Sequence, residues 1–320
     1  MKTEADPVFA GNELRGRKFL KLTDLSKHEL GYLLELAGEL KQKHKSGMHE
    51  ESLKGKTLGM LFEKPSTRTR VSFETGIFQL GGAGIFLNSD NLQLGRGETM
   101  ADTAKVLSGY VDGMMIRTFS HNVLEEFAEN AEIPVINGLT DMYHPCQVLA
   151  DLQTILEEKG RLKGVKLAYI GDGNNMSHSL MTGAAMTGMD ISIAAPDDYL
   201  PYTSVVQEAL TSAGQTGGRV EVTSDPQEAA KQADVIYTDV WASMGQEGEQ
   251  GNRKQVFSDF QVDAKLWSLA NNDAIFMHCL PAHRGEEVTA DVIDGKQSVV
   301  FQQAENRMHV QKALMTALMG

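Results

Sequence analysis

The sequence has too few cysteines and too few basic residues for two large classes of protein. Its 320 residues include only Cys146 and Cys279, which cannot build the disulfide framework of a small secreted domain. Acidic residues outnumber basic ones by 43 to 30, and the net charge of −13 argues against nucleic-acid binding, which rewards a basic face. We therefore expect a reducing compartment and no nucleic acid among the partners.

Long apolar runs are missing as well. The chain contains no run of about 18 apolar residues, the length that a transmembrane helix needs. Residues 1–11 also lack the apolar core of a signal peptide. These absences predict a cytoplasmic protein that makes no contact with a membrane.

The chain does contain a regular alternation of short apolar runs with segments of helical periodicity. The predicted strands lie near residues 57–62, 84–88, 113–117, 133–136, 165–170, 190–195, 219–223, 234–238 and 274–278. Strands separated by helices predict parallel sheets with helices on both faces. A chain of this length predicts two such domains, with a helix over residues 145–159 as their connector.

The segment at residues 63–70 combines several features of an anion site. It follows a predicted buried strand and opens a predicted helix, for which Ser66 and Thr67 are natural caps. A helix N-terminus attracts anions through its N–H groups and its dipole, and Arg68 adds a fork of donors that suits phosphate. Arg117 ends another predicted strand and is expected at the same edge of the sheet. A capped helix with solvated arginines is the alternative explanation.

A pair of glycines after a later strand offers a different interpretation. Gly171 and Gly173 form the start of a dinucleotide-binding fingerprint, and Asp197 and Asp198 lie about where a ribose-binding acid is expected. Met176, however, occupies the position of the third glycine, where a side chain obstructs close helix–strand packing. An NAD-dependent oxidoreductase therefore remains an alternative function.

Residues 243–254 form the least apolar stretch of the second half. Three glycines and few apolar side chains predict a mobile loop there. Such a loop is either a solvated linker or a lid that closes over an active site. Only a lid would carry residues that contact a ligand.

Five segments of the sequence resemble the motifs of one enzyme family. The sequence S-T-R-T-R at residues 66–70 resembles the carbamoyl-phosphate signature of the aspartate/ornithine carbamoyltransferase family. The family's H-P-x-Q, D-x-W-x-S-M-G and H-C-L-P motifs are matched at residues 144–147, 239–245 and 278–281, and Arg307 matches an arginine of the last helix. The motif at residues 239–245 resembles that of the ornithine enzymes, and the aspartate enzymes lack its S-M-G loop. The H-C-L-P sequence at residues 278–281 also resembles the ornithine enzymes.

This resemblance implies a fold, a reaction and an assembly. The fold would be α/β with two domains, each a parallel sheet flanked by helices, and with a C-terminal helix that returns to the first domain. Residues 1–147 with helix 303–320 would bind carbamoyl phosphate, and residues 148–302 would bind L-ornithine. The reaction would transfer the carbamoyl group to the δ-amine of ornithine, as a step of arginine metabolism. It would need no cofactor and no metal ion, and the protein would be a homotrimer or a multiple of one.

The resemblance also assigns site residues. The residues that would bind carbamoyl phosphate are Ser66, Thr67, Arg68, Thr69, Gln93, Arg117, His144, Pro145, Cys146, Gln147, Leu280 and Arg307. The residues that would bind ornithine are Asn175, Asp239, Ser243, Met244 and Cys279. The residues expected to be catalytic are Arg117, His144, Asp239 and Cys279.

The roles implied for these residues differ. Arg117 would contact the phosphate and the carbonyl oxygen of carbamoyl phosphate, and His144 would donate to that oxygen as its charge grows. Gln147 and the Leu280 carbonyl would hold the carbamoyl NH₂, with a cis bond after Leu280. Asp239 and Cys279 are the candidates for taking the proton from the δ-ammonium of ornithine. In a polar loop over residues 89–97, Gln93 would reach the carbamoyl phosphate of a neighbouring subunit.

Two more alternatives remain open from the sequence. A carbamoyltransferase for another amine, such as putrescine, would share most of these motifs. An anion-binding regulator would share the phosphate site but would not turn over substrate. Citrulline formation from ornithine, compared with reactions of putrescine and aspartate, distinguishes these possibilities.

Overall fold

The chain forms two compact units. The computed structural model describes residues 12–89, 97–243, 245 and 247–320, so the predicted site residues Gln93 and Met244 lie outside the described part. One unit consists of Met1–Gly138 with Met308–Gly320, and the other of Leu139–Arg307. Each is built on one sheet, which confirms the predicted two-domain α/β fold.

The first unit holds a four-stranded sheet in the order β2-β1-β3-β4. Its strands are β1 (Thr57–Phe62), β2 (Ala83–Asn88), β3 (Gly113–Arg117) and β4 (Val135–Leu139). Its helices are α1 (Lys27–Lys45), α2 (Thr67–Gln79), α3 (Met100–Ser108) and α4 (His121–Asn130). The central strand β1 pairs in parallel with β2 and β3, and Leu61, Ile116 and Phe127 belong to the core beside it.

The fourth strand begins later than its sequence predicts. The expected strand at residues 133–136 is found at Val135–Leu139. Pro134 has no N–H group and cannot donate within a strand, so the regular pairing starts after it. Phe19 then forms a parallel bridge with Ile136, with Phe19 N donating to the Val135 carbonyl at 2.8 Å. This bridge joins residues far apart in sequence, and no local pattern predicts it.

The second unit holds a five-stranded sheet in the order β7-β6-β5-β8-β9, and all of its neighbouring strands are parallel. The strands are β5 (Lys166–Ile170), β6 (Asp190–Ala194), β7 (Arg219–Thr223), β8 (Val235–Thr238) and β9 (Ile275–His278). The helices are α5 (Pro145–Lys159), α6 (Asn175–Thr187), α7 (Thr203–Thr216), α8 (Pro226–Ala230), α9 (Gln250–Val256), α10 (Ala264–Trp267) and α11 (Ala290–Ile293). The chain order reverses between β5 and β8, and ligands of such sheets bind at the carboxyl ends of the strands beside that point.

The last helix, α12 (Val300–Met319), ends in the first unit. Lys312 Nζ donates to Gln79 Oε1 at 3.0 Å, and Gly16 N donates to the Leu318 carbonyl at 2.9 Å. The predicted return of the C-terminal helix is thereby confirmed. Among the described helices, none has both the length and the apolar composition needed to cross a bilayer.

Candidate active site

In the first unit, predicted binding residues lie where β1 and β3 end. Phe62 pairs with Arg117 in the parallel register, and Glu63 N donates to the Arg117 carbonyl at 2.9 Å. Helix α2 begins shortly afterwards at Thr67, and the Arg117 side chain is buried. The carboxyl edge of this sheet therefore carries both an arginine and a helix N-terminus, and such edges are where α/β proteins bind ligands.

Ser66 caps α2 as its sequence predicts. Its Oγ accepts from Thr69 N at 3.2 Å and donates to Thr69 Oγ1 at 3.1 Å. Thr69 is buried, whereas Thr67 and Arg68 are exposed. Within this described turn there is no acidic side chain that would repel an anion. The positive end of the helix dipole and the Arg68 side chain thus remain available to a phosphate.

Lys64 adds a cation that sequence reasoning missed. Its side chain is 3% exposed, and Nζ lies 4.2 Å from the centre of the Phe119 ring. An ammonium group over an aromatic face is stabilised by the electrons of the ring. The only signal in the sequence is a lysine placed between a strand and a helix, which is more often solvated.

In the second unit, three neighbouring strands end at polar residues. β5, β8 and β9 lie side by side, and Asn174, Asp239 and Cys279 follow them. Cys279 Sγ donates to Asp239 Oδ1 at 3.0 Å, and Asn174 Nδ2 donates to Asp239 Oδ2 at 3.2 Å. The fold therefore joins two predicted site residues that are 40 positions apart in sequence.

The Cys279 thiol is protonated in this arrangement. Desolvation raises its pKa well above the ordinary value, and the Asp239 carboxylate raises the pKa further through its charge and its hydrogen bond. The positive charge of Arg307 lowers the pKa by a smaller amount. Cys279 is thus the hydrogen-bond donor of the pair, and Asp239 is the acceptor.

Sequence reasoning chose Asn175 and overlooked Asn174. Asn174 caps α6, with its Oδ1 accepting from Met176 N at 2.9 Å, while its Nδ2 faces Asp239. Asn175 Nδ2 instead donates to the Thr140 carbonyl at 2.6 Å. The signal that could have identified Asn174 is its position at the cap of a predicted helix.

The turn between β5 and α6 leaves no room for a dinucleotide. A Cβ atom on Gly173 would lie 2.3 Å from Pro201 N, and Gly173 N donates to the Tyr199 carbonyl at 2.8 Å. In dinucleotide-binding folds the glycine at this position lets the backbone approach the pyrophosphate. Here the backbone of residues 199–201 fills that approach, and this argues against the oxidoreductase alternative.

The motif H-P-C-Q opens α5. His144 occupies the cap position and Pro145 the first turn, and His144 N donates to Ser179 Oγ at 2.8 Å. Burial raises the pKa of the Cys146 thiol to about 12, although Arg307 lowers it. The Cys146 side chain is therefore a packing group, and its predicted contact with carbamoyl phosphate would have to come from its backbone.

Gln147 and Arg307 lie close to one buried carboxyl group, that of Asp151. Gln147 Nε2 donates to Asp151 Oδ1 at 2.9 Å, and both side chains are almost fully buried. Arg307 is also buried, and its charge acts on Asp151, Cys146 and Cys279, lowering the pKa of each against the larger effect of burial. The second unit thus brings a predicted residue of α5 and one of α12 close to this carboxyl.

Leu280 has the backbone that the resemblance predicts. Its bond to Pro281 is cis, and its φ is +57°, in a region that L-residues seldom adopt. Leu280 N donates to His278 Nδ1 at 2.8 Å, and His278 Nε2 lies 3.3 Å from Glu287 Oε1. These contacts fix the turn that carries the Leu280 carbonyl beside Cys279.

Two groups of described residues bring possible metal ligands within 4.8 Å of one another, namely Asp239, His278 and Cys279, and His283, Glu286 and Glu287. Hydrogen bonds account for the first group, since His278 Nδ1 accepts from Leu280 and the Cys279 thiol donates to Asp239. In the second group a Glu287 carboxylate oxygen accepts from His283 N at 2.5 Å. Neither arrangement requires an ion, and the absence of a metal from the reaction stays a prediction.

The segment expected to be a mobile loop is partly helical. Ser243 is half-buried, but residues 247–249 form a helical turn and α9 follows from Gln250. Arg253 of α9 is buried, with Nη1 donating to Asp172 Oδ2 at 2.7 Å and to the Trp241 carbonyl at 2.8 Å. Local composition predicted a loop, because composition alone does not reveal that Arg253 pairs with Asp172, which is 81 residues away in the sequence.

Known proteins match both halves of the chain. The aspartate/ornithine carbamoyltransferase family's carbamoyl-P binding domain matches residues 17–157, and its Asp/Orn binding domain matches residues 163–318. The ornithine carbamoyltransferase of Oceanobacillus iheyensis is 67% identical over 98% of this chain and 97% of its own length. That of Bacillus subtilis is 61% identical over 96% of this chain and 95% of its own.

Solved structures agree with these matches. The ornithine carbamoyltransferase of Pyrococcus furiosus superposes with a TM-score of 0.94 at 53% identity, covering 96% of this chain and 98% of its own. The anabolic ornithine carbamoyltransferase of Campylobacter jejuni gives 0.88 at 44% identity, covering 93% and 97% respectively. The chain belongs to the aspartate/ornithine carbamoyltransferase family. Its predicted enzyme class, carbamoyltransferase, is thereby confirmed.

The two domains of the aspartate/ornithine carbamoyltransferase family divide the predicted residues. The carbamoyl-P domain includes α2 and the start of α5, and the Asp/Orn domain includes Asp239, Cys279 and Arg307. The compact units separate after Gly138, so α5 falls in the first domain by sequence and in the second unit by packing. The predicted boundary after residue 147 and the roles of the site residues stay predictions.

Proposed function

We propose that the chain transfers the carbamoyl group of carbamoyl phosphate to the δ-amine of L-ornithine, giving L-citrulline and phosphate. The observation that carries the proposal is the Cys279–Asp239 hydrogen bond, which Asn174 extends across the ends of three neighbouring strands. This bond pairs a carboxylate with a protonated thiol within the residues that match the Asp/Orn binding domain, and the pairing supports the proposal that an amine binds there. Relatives named ornithine carbamoyltransferase, up to 67% identical, support ornithine as that amine.

The first unit would hold the phosphate of carbamoyl phosphate. This substrate is a mixed anhydride, so the reaction depends on placing the reactants and stabilising charge. The N-terminus of α2 supplies N–H groups and the helix dipole. The side chains proposed to contact the phosphate are those of Ser66, Thr67, Arg68, Thr69 and Arg117.

The carbamoyl end is proposed to be held by His144, Gln147, Leu280 and Arg307. Arg117 and His144 are proposed to donate to the carbonyl oxygen, where negative charge grows as the amine attacks. Arg307 is proposed to orient the carbamoyl end. Gln147 Oε1 and the Leu280 carbonyl accept from the carbamoyl NH₂. The amine nitrogen forms a bond to the carbonyl carbon, the carbon–oxygen bond to phosphate breaks, and phosphate leaves with the electron pair. The departing phosphate takes the second proton, which the attacking nitrogen loses as it becomes the amide nitrogen of citrulline.

Ornithine arrives with a positively charged δ-ammonium, which must lose a proton before it can attack. Because the Cys279 thiol is already protonated, we assign the Asp239 carboxylate as the group that attracts the ammonium and accepts its proton. Cys279 orients that carboxylate. Asn175, Ser243 and Met244 are proposed to hold the α-amino and α-carboxylate groups, together with Asp239.

Citrulline formation tests this function. Purified protein is assayed with carbamoyl phosphate and ornithine, beside putrescine and aspartate at equal concentrations. A site that binds the α-carboxylate should favour ornithine over putrescine by roughly 100-fold or more in kcat/KM, since putrescine leaves buried polar groups unpaired. Comparable rates for the two amines would contradict the substrate assignment, and carbamoyl-phosphate binding without turnover would favour a regulator.

We further propose a homotrimer or a multiple of one, supported by an exposed apolar edge of the first unit. Strand β2 lies at the end of the sheet, and residues 83–86 are exposed. Phe78 is 77% exposed, Val71 53% and Ile85 46%. Proteins seldom leave an edge strand and several large apolar side chains uncovered, so another subunit is the expected cover.

Location and pathway are proposals as well. We infer that the protein acts in arginine biosynthesis in the cytoplasm. A relative described as anabolic supports the pathway. A reducing compartment keeps Cys279 as the thiol that donates to Asp239.

A further inference from the structure

Asp151 is a buried carboxyl group that none of the family motifs includes. It lies one helical turn after Gln147 on α5, and its side chain is fully buried. Its Oδ1 accepts from Gln147 Nε2 at 2.9 Å and from Gln303 Nε2 at 2.7 Å. One oxygen atom therefore fixes two amide side chains.

This contact decides which way the Gln147 amide faces. The oxygen and nitrogen ends of a primary amide have nearly the same shape, so packing alone does not distinguish them. Asp151 Oδ1 can only accept, and it therefore selects the NH₂ end. Gln147 Oε1 then points the other way, is buried, and makes no hydrogen bond within the described residues. An acceptor held in this way is complementary to an NH₂ group of a ligand.

Through Gln303, Asp151 is also linked to the Leu280 carbonyl, the other proposed acceptor for the carbamoyl NH₂. Gln303 Nε2 also lies 3.0 Å from the Tyr237 hydroxyl, and Gln303 Oε1 accepts from His278 N at 3.0 Å. His278 Nδ1 in turn accepts from Leu280 N. Asp151 is thus connected by hydrogen bonds to the turn that presents the Leu280 carbonyl.

We propose that Asp151 is a positioning residue that orients the Gln147 amide, and through Gln303 the Leu280 turn, so that both accept from the carbamoyl NH₂. This inference rests on the proposed carbamoyl transfer. Asp151 itself does not touch the substrate. What it supplies is an acceptor oxygen at one fixed place, and the negative charge is not required.

The protonation state of Asp151 agrees with a role that needs an acceptor oxygen but no negative charge. Burial raises its pKa to about 7, although hydrogen bonds from Gln147, Gln303 and Tyr237 and the charge of Arg307 lower it. Near neutral pH the side chain is therefore partly protonated. A proton on Oδ2 leaves Oδ1 free to accept, so asparagine, with its carbonyl oxygen at the same place, reproduces the protonated form.

The test compares two substitutions of nearly equal size. Asp151→Asn keeps the acceptor oxygen, whereas Asp151→Leu removes it. The Gln147 amide then loses the contact that selects its NH₂ end, and Gln303 loses one of its contacts. We expect Asp151→Leu to raise the KM for carbamoyl phosphate about 10- to 100-fold, the effect of leaving a buried polar group unpaired. Asp151→Asn should stay within a few-fold of the parent. The KM for ornithine should change little in either variant.

A second comparison covers the case in which Asp151→Leu does not fold. Asp151→Met removes the same oxygen with a more adaptable side chain. It is also combined with Gln147→Met, and if Asp151 acts mainly through Gln147, the double variant should bind carbamoyl phosphate about as weakly as Gln147→Met alone. Equal effects of Asn and Leu at position 151, equal losses for both substrates, or full additivity with Gln147→Met would each overturn the proposal.

Citrulline formation by the unsubstituted parent protein distinguishes a failure of the Asp151 role from a failure of the proposed function. If the parent forms no citrulline, the proposed function fails and the variants are compared by calorimetric binding of carbamoyl phosphate alone. If the parent forms citrulline while the variants show no selective change for carbamoyl phosphate, only the role of Asp151 fails.

Discussion

At the scale of single residues, Cys279 shows how surroundings decide chemical role. A half-buried thiol beside a carboxylate keeps its proton, because desolvation and the nearby negative charge both oppose the thiolate. The same side chain beside a cation would become a nucleophile. We therefore assign Cys279 to hydrogen bonding and the proton-accepting role to Asp239.

Substitutions of Cys279 show whether its thiol donates a hydrogen bond to Asp239 or whether its thiolate is the base that takes the proton from ornithine. In Cys279→Ser a hydroxyl still donates to Asp239, so kcat/KM for ornithine should stay within about ten-fold of the parent. Cys279→Ala loses a hydrogen bond to a charged acceptor, which is worth about 1.5–3 kcal/mol and corresponds to about 10- to 100-fold in kcat/KM. Steady-state rates of citrulline formation measure both. If serine is as damaging as alanine, the thiolate is the base and this assignment is wrong.

At the scale of elements, Arg253 ties together three segments that lead to the site. From α9 it reaches Asp172 in the turn after β5 and the Trp241 carbonyl after β8, and its guanidinium lies 4.8 Å from the Tyr199 ring. The segment of Ser243 runs between Trp241 and α9. A buried ion pair of this kind contributes more to a defined geometry than to net stability.

Breaking this ion pair should loosen ornithine binding. Arg253→Met leaves the Asp172 charge buried without its cation, which should cost about 3–5 kcal/mol of unfolding free energy. We expect the KM for ornithine to rise about ten-fold or more, because the segment of Ser243 loses its anchor, while the KM for carbamoyl phosphate changes little. Urea unfolding and steady-state kinetics measure the two effects.

Arg284→Met is the matched control. Arg284 pairs with Asp294 at 2.6 Å, but both side chains are about half exposed, so solvent screens the pair and it contributes little to stability. Its loss should leave stability and both KM values near those of the parent. An Arg253→Met protein that is destabilised but binds ornithine normally would show that the ion pair has no part in substrate binding.

At the scale of the whole molecule, the exposed edge of the first sheet bears on assembly. Strand β2 ends at Asn88, and the predicted loop over residues 89–97, which contains Gln93, follows directly in the sequence. A subunit that covers β2 would therefore meet the start of this loop. The proposed contact of Gln93 with a neighbour's carbamoyl phosphate makes two demands, threefold assembly and sites that are shared between chains.

Mixing two variants, each with one substituted site residue, tests both the threefold assembly and the sharing of sites between chains. Gln93→Ala and Arg68→Ala proteins are unfolded, mixed in equal amounts, refolded and assayed for citrulline formation, with light scattering to measure the mass of the assembly. About a quarter of the shared sites should then combine an intact Arg68 with an intact Gln93. We expect the mixture to be far more active than either variant refolded alone.

A mixture of Arg68→Ala with Thr67→Ala serves as the control. Both residues lie at the start of α2 in the same chain, so no combination of subunits restores an intact site. This mixture should gain no activity. Failure of the Gln93 mixture to exceed it, although hybrid trimers form, would mean that Gln93 does not act across subunits.

The sequence by itself determined the fold class, and it supplied the proposed chemistry of the site. Periodicity placed most of the elements within two or three residues, because strands and helices bury apolar faces with different repeats. Ser26 and Glu29 form a capping box at the start of α1, with Ser26 Oγ accepting from Glu29 N at 3.2 Å, and this pattern is local in the sequence. The cap at Ser66 and the helix start at Pro145 were likewise readable, since caps and first turns depend on neighbouring residues alone. The family motifs supplied the proposed residues in chain order.

Only the tertiary structure decided what long-range neighbours do. In the folded chain Asp239 accepts hydrogen bonds from Cys279 and from Asn174, which sequence reasoning overlooked. Asp172 pairs with Arg253 of α9, and Phe19 forms a bridge with β4. The fold also surrounds Asp151 with two amides from separate helices, and burial there raises the pKa of its carboxyl to about 7. Burial, hydrogen bonding and nearby charge set these properties, and all three depend on residues that meet only when the chain is folded.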